Sequence, residues 1–367
     1  MGRGFGTVAL CLCASNASAG GIDRNGQPIS FIFEKGSYLE LSFGAISTQM
    51  SGADLSVPGG ATGNVAKPII PLAFSIKTDV TDKLSFGVLI DQPFGAEIEY
   101  GPGSVMFGGT NAKAEISAVT AMMRYKFSDR LSVHGGLRAQ TGTADITLTG
   151  AAYQALSGYK AVLSRDTGFG YVAGVAYEIP EYFLRVALTY NSEIKHEFET
   201  VETLGGVAVS TAPSQAVTPQ SVNLDFQSGV APDTFVFGGA RWVEWSAIQF
   251  DPPFLFAQTG QGLVTFEDTI SYSLGVGRQF SENWTGLFSV YYEKEGDHFV
   301  SPLMPSNGYV GAALAAVYSK NKMRITAGVN YTKLGDATPE GGLPGVALAD
   351  FSGNDVIGFG VKLGYSF

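Results

Sequence analysis

Side chains that could act in catalysis are few and widely spaced along the chain. The three histidines are His134, His196 and His298, and the two cysteines are Cys11 and Cys13. Hydrolysis by a serine needs a histidine beside it and a third group that orients the histidine. The histidine positions suggest no such triad, and no Gly-x-Ser-x-Gly motif is present. We therefore predict no catalytic residue, no metal site, no cofactor and no enzymatic activity.

A set of cationic side chains could instead bind an anion, because they share the polar face of alternating segments: Arg124, Arg138, Arg185, Arg324 and Lys362. Arginine binds carboxylates through two parallel hydrogen bonds, and we include Arg138 in the candidate binding site for this reason. The alternative for each of them is a structural ion pair with an acidic side chain on a neighbouring segment. The sequence does not decide which of them, if any, meets a ligand.

The segments that carry these cations alternate between apolar and polar residues, as half-buried β-strands do. Four members of the apolar rows are Leu39, Phe86, Val329 and Phe359. If the rows face lipid, the chain is a barrel; if they face an enclosed core, it is a soluble sandwich. Alternation by itself does not distinguish the two.

The connections between the segments favour the barrel. Short polar turns such as 81–83 and 128–130 alternate strictly with long connections rich in Gly, Pro, Ser and Thr, such as 51–67 and 335–354. Outer-membrane barrels have short periplasmic turns and long extracellular loops. We therefore predict an all-β fold over 37–367: a transmembrane antiparallel β-barrel of about 14 strands, counted between the connections, with both mature termini in the periplasm.

Composition agrees with a protein that crosses the membrane with strands. Only 15% of the residues are charged, 45% are hydrophobic, and the net charge is −10. A negative balance argues against nucleic acid, which binds a basic face. Apart from weak N-terminal candidates, no apolar run approaches the roughly 20 residues of a transmembrane helix. Strands can cross hydrocarbon only when every edge is paired, which closes the sheet.

The N-terminus is predicted to be a secretory signal peptide over 1–19. Arg3 gives a positive start, the residues from Phe5 to Ala14 are mostly apolar, and Ala17 to Ala19 form a small-residue cleavage site. Both cysteines lie inside it, so the mature chain has no thiol chemistry. The segment 20–36 is left before the first strand, and we expect it to plug the lumen as a short hatch.

Three motifs resemble the FadL/TodX family of long-chain fatty-acid and hydrocarbon transporters. The stretch 83–95 resembles the family's third strand, 125–133 the next turn, and 232–245 the turn and strand that follow strand eight. The resemblance runs from about residue 30 to the C-terminus. It implies a plugged barrel in which apolar ligands bind a groove between extracellular loops three and four. They then pass to a pocket beside the hatch and leave sideways at a kink in strand three.

This resemblance and the local pattern together give candidate site residues. The residues predicted to bind ligand lie in loop three, where apolar residues are spaced for a short helix, and in loop four, the hatch and the lumen. They are Tyr153, Leu156, Tyr159, Leu163, Leu204, Phe31, Phe33 and Arg138. Proline lacks a ladder donor and glycine marks bends in strands. A lateral opening is therefore predicted at Pro93, Phe94, Gly95 and Ala96. The alternative is that these four residues only form the extracellular end of the strand.

The hatch departs from the family pattern, because the usual hatch is longer and ends in Asn-Pro-Ala, where this chain has Phe31 to Gly36. Plugging is therefore expected to be partial. The predicted function is uptake of long-chain fatty acids or similar hydrophobic compounds across the cell outer membrane. A nonspecific aqueous porin and a monoaromatic hydrocarbon channel are the alternatives. We expect a monomer that contacts membrane lipid, lipopolysaccharide and the barrel-insertion machinery, with Phe367 as part of the insertion signal.

Overall fold

The computed structural model describes residues 22–264, 266–341 and 345–367. The predicted signal peptide, 1–19, lies outside the described residues. Fourteen antiparallel strands form one closed barrel, which confirms the predicted fold class. Within the described residues, no helix is long and apolar enough to cross a membrane.

The strands follow one another around the barrel in chain order. They are β1 (Tyr38–Gln49), β2 (Leu72–Asp79), β3 (in two segments, Leu84–Asp91 and Gly95–Glu99), β4 (Asn111–Lys126), β5 (Leu131–Leu148), β6 (Tyr159–Ile179), β7 (Leu184–Asn191 and Ile194–Leu204), β8 (Val207–Thr218 and Ser221–Ala231), β9 (Thr234–Val243), β10 (Thr269–Gln279), β11 (Trp284–Glu293), β12 (Tyr309–Lys320), β13 (Met323–Leu334) and β14 (Asp355–Ser366). The barrel closes where β1 pairs with β14, from Tyr38 opposite Ser366 to Gln49 opposite Asp355.

The helical elements are short. One α-helix, α1, spans Pro253–Thr259, and 3-10 turns span Ser30–Phe33, Ala151–Leu156, Pro180–Tyr182 and Trp245–Ala247. The first of these turns belongs to the segment before β1, and the others lie in connections between strands.

The apolar rows face outward, as the predicted barrel requires. Phe86, Val329 and Phe359 expose 41%, 52% and 50% of their surface. Leu39 is half-buried and shares the outward row of β1 with the exposed Phe43. An outward apolar row with a polar inward row is what a hydrocarbon environment requires of a closed sheet.

The connections differ at the two ends of the barrel. Six short turns lie at one end, at 80–83, 127–130, 180–183, 232–233, 280–283 and 321–322. Exposed aromatic side chains cluster there, among them Phe127, Tyr182, Phe280 and Phe367. We call this the short-turn end.

The long connections pack together into a cap at the other end. Short strands Ser51–Asp54 and Ala349–Asp350 join loops one and seven, and Phe299–Val300 joins Thr338–Pro339. The cap has its own apolar core, in which the ring of Tyr100 lies 5.2 Å from that of Phe107. A molecule that enters the lumen from this end must therefore pass between packed loops.

Candidate functional site

The third strand is interrupted between its two segments. Asp91 pairs with Ala118 of β4 below the interruption, and Gly95 pairs with Glu115 above it. Residues 92–94 therefore stand opposite only 116–117, which is a β-bulge. The extra residue reverses the alternation. Odd-numbered side chains of β3 face inward before it, whereas the even-numbered Ile98 is buried after it.

Strand β2 does not pair with β3 beside this bulge. Their ladder ends at Phe74 opposite Ile90. The chain before β2 meets β3 again higher up, where the Lys67 N–H donates to the Glu97 carbonyl at 3.1 Å. Between these points lies 68–71, whose first and last residues are prolines without a ladder donor. We call the stretch between 68–71 and 91–96, which no backbone hydrogen bond spans, the wall interval.

The described part of the predicted hatch, residues 22–36, covers the wall interval from the lumen. Asp23 forms an antiparallel bridge with Phe94. The backbone N–H of Arg24 donates to the Pro93 carbonyl at 2.9 Å, and the Gly95 N–H donates to the Ile22 carbonyl at 2.8 Å. The hatch therefore bonds the edge of β3 that β2 leaves unpaired.

Gly95 is required by this arrangement. Its φ of 151° lies in a region that other residues rarely adopt. A Cβ on Gly95 would lie 2.6 Å from Cζ of Arg24 and 2.8 Å from the carbonyl oxygen of Ala114. Any side chain at this position would displace the hatch or the backbone of β4.

Hydrogen bonds from two sides of the barrel hold the hatch. Asn25 Nδ2 donates to Asp91 of β3 at 2.7 Å, and Arg241 Nε of β9 donates to Asp23 at 2.8 Å. Arg241 also donates to Gln27 at 3.2 Å. A cavity of about 180 Å³ remains between the hatch and the far wall.

The lower hatch fills the short-turn end of the lumen. Phe31 and Phe33 are buried there, and Cζ atoms of Arg124 and Arg185 each lie 4.6 Å from the Phe33 ring centroid. These two phenylalanines, which were predicted to bind ligand, pack against the inner wall of the barrel in this structure. Plugging at this level is therefore carried by few but bulky residues.

Ion pairs account for several of the inward cations. Arg124 pairs with Glu178 of β6, and Lys362 Nζ lies 3.0 Å from Glu40. Arg324 Nη1 donates to Glu34 of the hatch at 2.7 Å. Burial raises the pKa of the Glu34 carboxyl, and the Arg324 guanidinium opposes this.

An apolar cluster lies on the cap side of the upper hatch, directly inside the wall interval. It consists of Phe94, Val243, Trp245 and Ile248. Phe94 points inward and meets Trp245 edge-on, with ring centroids 5.9 Å apart. We call these four residues the Phe94 cluster. Phe94 was predicted to belong to the lateral opening, and it forms the inner face of the wall interval.

A cavity of about 1120 Å³ lies between loops five, six and seven, beside this cluster. Val264 and Phe266 line the cavity and also pack against the Phe94 cluster. The other apolar lining residues include Leu263, Phe299, Val300 and Met304. The sequence analysis missed this cavity; Trp245 of the adjoining cluster, directly before a long loop, was the available signal.

The charges on the cavity lining are mainly negative. Its carboxylates are Glu267, Asp268, Glu295, Asp297 and Glu340, and its cation is Lys294. A lining of this kind repels an anionic ligand at short range.

Residues 37–367 match the model of a family described as outer membrane protein transport protein (OMPP1/FadL/TodX). The chain belongs to this family. The protein is therefore an outer-membrane β-barrel of a transport family, as the motifs predicted.

Solved structures with the same fold are distant in sequence. A Pseudomonas aeruginosa FadL homologue shares 16% identity with a TM-score of 0.72, over 93% of this chain and 92% of that one. The P. putida toluene transporter TodX shares 14% with a TM-score of 0.66, over 92% of each chain. The Ralstonia pickettii toluene transporter TbuX shares 13% with a TM-score of 0.65, over 99% and 98%. The comparison with curated proteins gives no match.

The loop groove that the family resemblance implied is covered in this chain. Tyr159 is fully buried, donates to Glu202 at 2.8 Å, and stacks on Phe254 of α1 with ring centroids 6.5 Å apart. Leu163 is buried and Leu204 half-buried nearby. Loop five therefore lies over the predicted contact between loops three and four.

The remaining loop-three candidates also belong to the cap. Tyr153 and Leu156 are half-buried against the cap core, and Tyr153 meets Phe107 edge-on at 6.1 Å. The short helix predicted over 151–163 is wrong: Ala151–Leu156 form a 3-10 turn with a kink at Gln154, and Tyr159 and Leu163 already belong to β6. Ligand binding by these residues stays a prediction.

Arg138 lies deeper in the lumen. Its Nε donates to Thr120 at 2.9 Å, and Asp91 lies close enough to interact with its charge. Among the described residues, Nη2 of Arg138 and Oδ1 of Asp91 have no hydrogen-bond partner. Buried polar atoms without partners are costly, so the polar end of a ligand could satisfy them.

Proposed function

We propose that this protein takes up hydrophobic compounds across the outer membrane and releases them sideways through the wall interval. The observation that carries the proposal is the bulge in β3, whose free edge bonds the hatch instead of β2. An unbroken ladder is a continuous wall, whereas a bulge facing an unpaired stretch leaves a place where the wall can part.

A sideways route is energetically favourable for an apolar solute because the route ends in hydrocarbon and not in water. An apolar solute that leaves into hydrocarbon keeps its surface out of water, at about 0.8 kcal/mol for each CH₂ group. A route straight down would cross the hatch, where charged and polar groups hold Asp23, Asn25 and Glu34. The Phe94 cluster, against which Val264 and Phe266 of the cavity lining pack, supplies an apolar approach to the wall interval.

Blocking the wall interval tests this route. The chain has no cysteine beyond residue 13, so Ala96→Cys introduces a unique label site in the mature protein. Coupling a bulky maleimide there should stop uptake of radiolabelled toluene by cells. The matched control is Leu137→Cys, which carries the same label on the outward row of β5, where Leu137 is 74% exposed.

The possible outcomes separate function from route. If the unmodified protein raises toluene and oleate uptake no more than an empty vector, the transport proposal is wrong. If it transports and labelled Ala96→Cys transports equally well, the sideways route is wrong. Normal uptake by labelled Leu137→Cys excludes a general effect of the label.

A second candidate function is the uptake of neutral hydrocarbons rather than of fatty acids. The carboxylates of the cavity lining favour it, because they repel an ionised fatty acid. Replacing Glu267, Glu295 and Glu340 together by Gln should raise oleate uptake relative to toluene uptake. The control replaces Asp129 by Asn and Glu181 and Glu282 by Gln, three exposed carboxylates at the short-turn end. An unchanged ratio would favour fatty acids again.

We also propose that both mature termini face the periplasm and that the barrel acts as a monomer without enzymatic activity. Tyr38 and Ser366 lie opposite each other at the short-turn end, and Phe367 is exposed beside them. An outward aromatic there suits recognition by the insertion machinery, with lipid and lipopolysaccharide around the wall. An epitope inserted at Gly206 should bind antibody on intact cells, while one at the C-terminus should require permeabilised cells.

A further inference from the structure

The side chain of Arg24 leaves the hatch at the wall interval and fills the space beside Gly95. Its Nε donates to the Gly95 carbonyl at 3.0 Å. The space that a side chain of residue 95 would use is occupied by the guanidinium, as the 2.6 Å separation from an ideal Cβ shows. Gly95 therefore accommodates the Arg24 guanidinium, besides allowing the bend.

The guanidinium reaches toward the outer face of the wall. The carboxylates that act most strongly on it are those of Glu115 and Glu97. Glu115 shares the outward row of β4 with the exposed Val119 and Met123. Side chains of Glu115 and Glu97 are 60% and 41% exposed. Arg24 thus reaches from the inner hatch toward two outward carboxylates, whose nearest cation is Lys113, at 3.1 Å from Glu115 and 3.8 Å from Glu97.

The backbone contacts of the hatch do not depend on this side chain. The Arg24 N–H bonds Pro93 and the Ile22 carbonyl bonds Gly95 through main-chain atoms alone. Asp23 is anchored separately to Arg241. Removing the Arg24 side chain should therefore leave the hatch in place while it opens the space at Gly95.

We propose that Arg24 is the gating residue of the wall interval. Its guanidinium closes the space beside Gly95 and must swing toward Glu97 and Glu115 before an apolar ligand can pass. This inference rests on the sideways route proposed above.

The electrostatics of the two positions suit a movable gate. Burial lowers the pKa of the Arg24 guanidinium, while Glu115 and Glu97 act in the opposite sense. The closed position therefore has a desolvation cost that an outward swing relieves, and the bond to Gly95 holds the side chain back.

Uptake rates of substituted proteins test the proposal. Arg24→Ala should raise the initial rate of toluene uptake by about threefold to tenfold, the range expected when one hydrogen bond of typical net strength is lost. Arg24→Lys, which keeps the charge, should stay near the unmodified rate. The matched control is Lys35→Ala, which removes a cation from an exposed position of the same hatch.

Chemical restoration of the charge separates gating from a structural effect. Arg24→Cys should transport as fast as Arg24→Ala. Modification by 2-aminoethyl methanethiosulfonate, which adds a cationic arm, should return the rate toward that of the unmodified protein. Methyl methanethiosulfonate adds only a small neutral group and should leave the rate high. Equal effects of the two reagents, or an Arg24→Ala rate equal to the unmodified rate, would overturn the proposal.

A second measurement does not depend on transport. In lipid vesicles, a lipid-soluble maleimide should label Ala96→Cys severalfold faster when Arg24→Ala is also present. Faster labelling without any uptake above the empty vector would support the gate and refute the transport function. Equal labelling rates, in a protein that transports, would refute the gate and leave the transport function standing.

Discussion

The Nε atom of Arg241 donates a hydrogen bond to the carboxylate of Asp23 at 2.8 Å, which ties β9 to a hatch residue 218 positions earlier in the chain. Arg241 extends the same contact through Ser221 and Asn223, at 2.9 and 2.6 Å. The hatch is therefore held from the wall opposite the bulge as well as at the bulge itself.

Breaking this tie should loosen the hatch. Arg241→Met removes the hydrogen bond from β9 to Asp23 and should raise ion conductance in planar bilayers about twofold to fivefold, because breaking a buried ion pair at one partner is costly. The small cavity beside the hatch would then join the solvent at the short-turn end. Asp23→Asn should have a smaller effect, and the double variant should not exceed Arg241→Met. Conductance unchanged in Arg241→Met would show that the hatch is held elsewhere.

Bulk at the bend should stop transport without unfolding the barrel. Gly95→Trp places a large side chain where Cζ of Arg24 and the carbonyl oxygen of Ala114 already lie. We expect uptake of toluene to fall about tenfold or more, the loss that corresponds to a barrier higher by about 1.4 kcal/mol. Heat-dependent mobility on gels checks that the barrel still forms, and Leu137→Trp controls for an added tryptophan on the outer wall. Full transport by Gly95→Trp would remove the bend from the route.

Ligand in the Phe94 cluster should change the fluorescence of Trp245. The chain has three tryptophans, Trp242, Trp245 and Trp284, so replacing two by Phe isolates the third. A protein that keeps only Trp245 should show saturable quenching or a spectral shift on titration with naphthalene. One that keeps only Trp284, which is 50% exposed near the short turns, should not. Equal responses from both would mean nonspecific partition.

The cap should depend strongly on Glu202. Its carboxylate accepts the backbone N–H groups of Phe254 at 2.9 Å and Leu255 at 3.1 Å, and the hydroxyl of Tyr159 at 2.8 Å. Glu202→Ala leaves these donors unpaired, at about 1–3 kcal/mol for each buried group. Limited proteolysis should then cut loop five sooner, whereas the exposed-surface variant Glu199→Ala should behave as the unmodified protein does. Unchanged digestion would mean that α1 is held by apolar contacts alone.

Much of the barrel could be read from the sequence, because its rules are local. The period of two sets which residues of β3 or β13 face lipid, and short turns follow from nearby polar residues. Pro93 and Gly95 marked the bend for the same reason, since each acts on its own backbone. The prolines at 68 and 71 gave a matching signal on the neighbouring chain, although the sequence analysis did not use them.

The contact between the hatch and the wall interval could not be predicted in this way. The hydrogen bonds between 22–24 and 93–95 join segments about 70 positions apart. No residue pattern in either segment indicates that the two segments pair. Helical spacing and the family resemblance suggested that Tyr159 and Leu163 would line a groove. Loop five, which covers them, lies far along the chain, so the residues around them gave no sign of it. Apolar residues in a loop predict burial or binding equally well, and the packing of the other loops decides between them.

The seam between β1 and β14 has a consequence for how the protein assembles. Every other neighbouring pair around the barrel is a hairpin of consecutive strands, which forms from local contacts. The seam joins the two ends of the chain and has to wait for all the hairpins. Until it forms, two rows of backbone donors and acceptors stay unpaired, which the membrane interior does not tolerate. Insertion should therefore be all-or-none, with no stable half-inserted species between the soluble chain and the closed barrel.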